Sequence, residues 1–106
     1  MNIMTTKLQS INDLKVGDIL YYALSSTYSN KVFIRKHRII SFEENNFVKL
    51  YDITHDIEQI YNRCFIYDCF DIDEVKALNK MINFTRRAIE EYAMQIKLFE
   101  EALSNF

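Results

Sequence analysis

Apolar residues recur at alternating steps of three and four through the last third of the chain: Val75, Leu78, Ile82, Thr85, Ile89, Tyr92, Ile96, Phe99, Leu103 and Phe106. That spacing places them on one stripe of a helix. Asp71, followed three residues later by Glu74, resembles a capping box, and Asp73 and Glu74 complement the positive end of a helix dipole. No Pro or Gly follows Asp73, so the pattern predicts one helix in residues 71–106. If it continues to Ser104 it is about 48 Å long at 1.5 Å per residue, and part of it should project from a small domain. Asn79, Asn83 and Thr85 are modest helix formers, which leaves a kink near Asn83 as the alternative.

In heptad terms, Val75, Ile82, Ile89, Ile96 and Leu103 occupy the a positions, and Leu78, Thr85, Tyr92, Phe99 and Phe106 the d positions. Branched residues at a suit a two-stranded coiled coil, whereas Thr, Tyr and Phe at d depart from the usual leucines. Met81, Ala88, Gln95 and Ala102 at g carry no charge, so the apolar face is wider than a simple zipper needs. Val75, Leu78, Ile82, Ile89, Tyr92, Ile96, Phe99 and Leu103 are therefore the expected oligomer interface. Packing of the same face on the chain's own sheet is the competing reading.

Upstream the period shortens. Residues 19–24, 32–42 and 47–51 read as strands, the last by clear alternation. The only glycine, Gly17, precedes the first of them and marks a turn requiring positive φ. Glu43, Glu44, Asn45 and Asn46 separate the second and third strands by a gap suited to a hairpin. Residues 52–58 form a polar loop, residues 59–70 hold two short apolar runs around Asn62 and Arg63, and residues 64–69 are read as the last strand. Residues 1–10 form a polar lead expected to be extended or frayed. The expected fold is α+β: a small, strongly bent antiparallel sheet or SH3-like barrel of four to five strands in residues 11–70, followed by the helix.

The run Asp13-Leu14-Lys15-Val16-Gly17-Asp18-Ile19-Leu20-Tyr21-Tyr22, a strand pair joined by a polar turn, and a final strand entering an acidic cap and a charged helix resemble small phage-type barrel-plus-helix accessory proteins. The resemblance covers most of the chain. It implies a phage protein of the sort that inhibits a host defence system, either by binding a protein or by sequestering a nucleotide signal.

Composition narrows the chemistry. Thirteen basic and fifteen acidic residues leave a net charge of −2, so no global field recruits nucleic acid or an anionic membrane. No apolar run approaches a membrane span and residues 1–10 lack signal-peptide order, which predicts a cytoplasmic protein without membrane partners. Cys64 and Cys69, with His37 and His55, provide no tight ligand pair, so neither a metal nor another cofactor is expected. The histidines have no nucleophile and acid in a familiar order, and a single glycine excludes phosphate-cradling loops. The expectation is a non-enzymatic protein.

The one dense charge cluster lies on the second strand. Arg35, Lys36, His37 and Arg38 are the candidate partner- or phosphate-binding residues, with Arg35 and His37 on one face and Lys36 and Arg38 on the other. Two partner classes follow: an unidentified protein met by steric contact alongside self-association into a homodimer, or a nucleic acid or nucleotide held by the basic strand.

Overall fold

The computed structural model describes residues 10–26 and 28–106; the expected extended lead lies almost wholly outside this range. Strands β1 (Ile19–Ser26), β2 (Lys31–Glu43), β3 (Phe47–Asp52) and β4 (Ile57–Asn62) follow one another as antiparallel neighbours. A seven-residue helix α1 (Arg63–Cys69), a two-residue strand β5 (Phe70–Asp71) and the 31-residue helix α2 (Glu74–Ser104) complete the chain. The sheet order is β4-β3-β2-β1-β5, with β5 antiparallel to the outer side of β1. The sheet is open, so the bent-sheet form of the expectation holds and the closed barrel does not.

Local chemistry explains the turns. Gly17 has φ +92° in the turn before β1, where a Cβ would be strained. Its amide donates to the Ile39 carbonyl at 2.8 Å, and Ile39 donates back to the Asp18 carbonyl at 2.9 Å, so the turn at the lone glycine is tied to β2. The β2–β3 hairpin turns through Asn45 and Asn46, both at positive φ, a conformation that asparagine tolerates better than most residues. A register shift between Ile39 and Ser41 bulges β2 in its middle, which increases the local twist.

Residues 64–69 form a helix rather than the expected strand. The Asn62 side chain accepts from the Cys64 amide at 2.8 Å, opening α1 with a conventional cap. Ile66 and Cys69, three residues apart, are its buried positions. The cap of α2 also shifts: Asp73, not Asp71, accepts from the Lys76 amide at 2.8 Å. Asp71 is committed to β5 and faces Lys80 at 3.5 Å. Lys80 also donates to the carbonyls of Tyr67 and Phe70, the latter at 2.8 Å. It thus satisfies the end of α1, as cations do at helix C-termini, and ties α1 to α2.

The core lies between the sheet and α1. Leu14, Leu20, Ile39, Val48, Leu50, Ile66, Cys69 and Phe70 form one buried cluster. Phe70 is its aromatic centre, stacked on Tyr22 at 4.9 Å and meeting His37 and Tyr61 edge-on at 5.1 and 5.4 Å. Only the beginning of α2 takes part in the fold: Ala77 is fully buried, and Leu78 and Met81 are half-buried. The helix then continues without the kink considered at Asn83. At 1.5 Å per residue it runs about 46 Å, and the molecule measures 68 × 35 × 30 Å.

Candidate interaction surface

The seam separates into an anchored part and a free part. Leu78 is half-buried at the sheet, but Val75 is exposed, as is every seam residue from Ile82 to Phe106. Ile89 is 61% exposed, Ile96 58%, Phe99 71% and Leu103 73%. Side chains of this kind each contribute about 1.5–3 kcal/mol when they leave water. On a single chain most of that contribution is unrealised along the outer half of α2. Phe84, Met94 and Leu98 are exposed as well, so apolar surface extends beyond the seam.

Where α2 leaves the sheet, a largely apolar groove of about 350 Å³ opens between the helix and the end of the β1–β2 hairpin. Ala23, Leu24 and Val32 form its sheet side, and Leu78, Ile82 and Thr85 its helix side. The helix side is the seam itself, so the groove and the exposed stripe are one continuous surface. The groove was not visible in the sequence, because it depends on which turns of α2 contact β1.

The basic strand divides as its alternation requires, with a consequence for the candidate residues. Lys36 and Arg38 are exposed and Arg35 is half-buried, but His37 is 1% exposed and lies in the core against Phe70 and Tyr61. A side chain so enclosed cannot meet a partner, and His37 leaves that set. Its Nε2 lies 3.9 Å from Asp52 Oδ2, too far for a hydrogen bond, and Nδ1 has no hydrogen-bond partner among the described residues. Burial pushes the His37 pKa down, opposed mainly by the nearby Asp52 carboxylate.

Asp52 is the second buried polar residue here, and it ends β3 instead of opening the polar loop expected over residues 52–58. Burial acts to raise its pKa, but hydrogen bonds from the His55 ring and backbone outweigh it and hold the carboxyl below its ordinary value. The His55 ring nitrogen Nδ1 lies 2.9 Å from Oδ2, and the amides of Thr54 and His55 donate to Oδ1 at 3.0 and 3.1 Å. Asp52 therefore organises the β3–β4 turn as an Asx-type anchor. The spacing of Asp52 to His55 was the available signal.

His55 itself is exposed and joins Phe33, Ile34, Arg35 and Thr54 around a pocket of about 260 Å³. This brings one cation, one aromatic ring and one imidazole together on the outer surface. Cys64 is exposed and Cys69 buried, both as free thiols, and burial raises the Cys69 pKa. No helix among the described residues is long and apolar enough to cross a membrane. No family model, no curated protein and no solved structure matches the chain.

Proposed function

We propose that this protein is a non-enzymatic interaction protein that assembles through the exposed face of α2 and presents its sheet to a macromolecular partner. The observation that carries this reading is the uncovered seam from Ile82 to Phe106. Helices in proteins draw most of their stability from packing an amphipathic face rather than from intrinsic propensity, and α2 ends against its own dipole, with Glu100 and Glu101 near its C-terminus and no basic residue in its last turn. A helix of this composition gains its order by covering its apolar face. The action on the partner is steric, and the phage-type resemblance makes a host defence protein the class of target.

The double substitution Ile89→Asp, Ile96→Asp tests the assembly step. Neither residue contributes to the core, so the variant keeps the fold by circular dichroism and sediments as a monomer while the wild type self-associates. A variant that associates as strongly as the wild type refutes the reading.

The pocket beside Arg35 and His55 favours one second reading: binding of a nucleotide or single-stranded nucleic acid, with Arg35 on phosphate and Phe33 against a base. Lys36 and Arg38 on the opposite face would add only non-specific attraction. Oligonucleotide titrations across salt concentrations decide it, because phosphate contacts impose a steep salt dependence. Absence of binding at low salt eliminates it.

A further inference from the structure

If α2 is a self-association element, its residues also specify how two copies meet. We infer that the second copy pairs antiparallel, with the two α2 helices crossing at residue 94 and each chain's Phe106 seated against the groove of the other. The inference rests on the assembly reading above and adds orientation, register and the occupant of the groove.

Three features select this arrangement. The first is charge. The e positions of the heptad are Asn79, Arg86, Ala93 and Glu100. Antiparallel coiled coils bring e against e and g against g, whereas parallel ones bring g against e. In the antiparallel register, Arg86 of each copy faces Glu100 of the other, and Ala93 faces its own symmetry mate. A parallel pair would set Arg86 against Met81, Ala93 against Ala88 and Glu100 against Gln95, with no opposite charges. Neither Arg86 nor Glu100 belongs to an ion pair found among the described residues. The pairing also supplies a cation to the acidic, dipole-opposed end of each helix.

The second feature is size. In this register Ile89 meets Phe99, Tyr92 meets Ile96, Thr85 meets Leu103 and Ile82 meets Phe106, so every aromatic d residue faces an aliphatic a residue. The g positions bring Ala88 against Ala102 and Gln95 against itself, small or uncharged residues that let the helices approach. A parallel pair would place Thr85, Tyr92, Phe99 and Phe106 each against its own copy.

The third feature is the groove. Ile82 lines its helix side, and Ala23, Leu24 and Val32 its sheet side. Phe106 is fully exposed on a single chain, and antiparallel pairing carries it to Ile82 of the second copy, at the mouth of this groove. Seven residues of the seam, Ile82, Ile89, Tyr92, Ile96, Phe99, Leu103 and Phe106, are exposed, Ile82 the least at 48%. At on the order of 100 Å² each they supply roughly 700 Å² per chain, close to the ~800 Å² per partner of a stable interface.

A charge-reversal cycle and one distance test this. Arg86→Glu and Glu100→Arg each raise the dimer Kd by roughly 10-fold, because each replaces two attractive contacts by repulsive ones, and the double variant Arg86→Glu, Glu100→Arg returns toward the wild type. In a Cys64→Ser background, spin labels at Ser104→Cys lie about 30 Å apart along the pair, from twenty residues at 1.5 Å. A parallel pair holds them within about 10–20 Å, the width of two helices. A dimer with the short distance, or a double variant no better than its parents, overturns the antiparallel inference while leaving self-assembly standing. A monomeric wild type overturns both.

Discussion

Truncation after Glu91 discriminates sharply between the two places the seam could be covered. The deletion removes residues 92–106, every one of which is exposed on the single chain, together with five seam residues: Tyr92, Ile96, Phe99, Leu103 and Phe106. The buried cluster from Leu14 to Phe70 and the anchoring residues Ala77, Leu78 and Met81 are retained. The expected loss of monomer stability is under about 1 kcal/mol, the range of surface changes that touch no buried group. If the seam packed on the chain's own sheet, those five side chains would contribute roughly 7–15 kcal/mol at 1.5–3 kcal/mol each, as much as the whole stability of an ordinary domain. Thermal unfolding of both chains over a dilution series is the assay. The melting temperature of the full chain rises with concentration, because association stabilises by mass action. That of the truncated chain is flat and lies within about 4–8 °C of the full chain's low-concentration limit. A truncated chain that fails to fold would place the distal seam in the monomer's own core, and a full chain whose melting temperature ignores concentration would exclude self-association through it.

Two further outcomes follow from the core. His37 is held neutral by burial, with its folded pKa below the unfolded 6.5; between those values the unfolded chain binds more protons, so stability falls as pH drops through 6.5 toward the folded value. Asp52, depressed below 3.8, adds a separate loss only at more acid pH. Urea titrations from about pH 7.5 to 5 should show the first slope in the wild type and a flatter one in His37→Gln; equal slopes contradict the assignment. Lys80→Met leaves the carbonyls at the end of α1 and the Asp71 carboxylate without their cation, and should lower stability by about 1–3 kcal/mol in the same measurement. An unchanged midpoint would show that solvent replaces Lys80 without cost.

How far the chain could be read from residues alone varied with the length and strength of the local signal. The strands β1 to β3, the Gly17 turn and the Asn45-Asn46 hairpin carry period-two alternation or residues with a special backbone requirement, and each lies within two residues of its expected place. Helix α1 failed because Cys64, Phe65, Ile66, Tyr67 and Cys69 include good strand formers and seven residues are too few to separate a buried helical turn from a short strand by period. The Asn62 cap was its one positive sign. The cap of α2 was displaced because Asp71 and Asp73 both offer a carboxylate ahead of the helix, and only the pairing of Phe70–Asp71 with β1 shows which is used. His37 shares its face with Ile39, and the burial of that face could have been suspected. The charged neighbours Arg35, Lys36 and Arg38 concealed it.

The most interpretable part of the sequence was the seam itself, since its regular spacing fixes a single face of α2. Its cover depends on how far along the helix the domain reaches, and that is a property of tertiary packing. Leu78 is the last seam residue that the fold half-buries, and the seven large seam residues beyond it stand outward. This is why the distal helix, rather than the basic strand or the histidines, is the centre of the functional account.

Sedimentation equilibrium of the unmodified chain, from low micromolar to about 1 mM, reads self-association through α2 without any substitution. A mass moving from 12.7 kDa to twice that value as concentration rises is the result self-association predicts. A mass of 12.7 kDa across the whole range would contradict it.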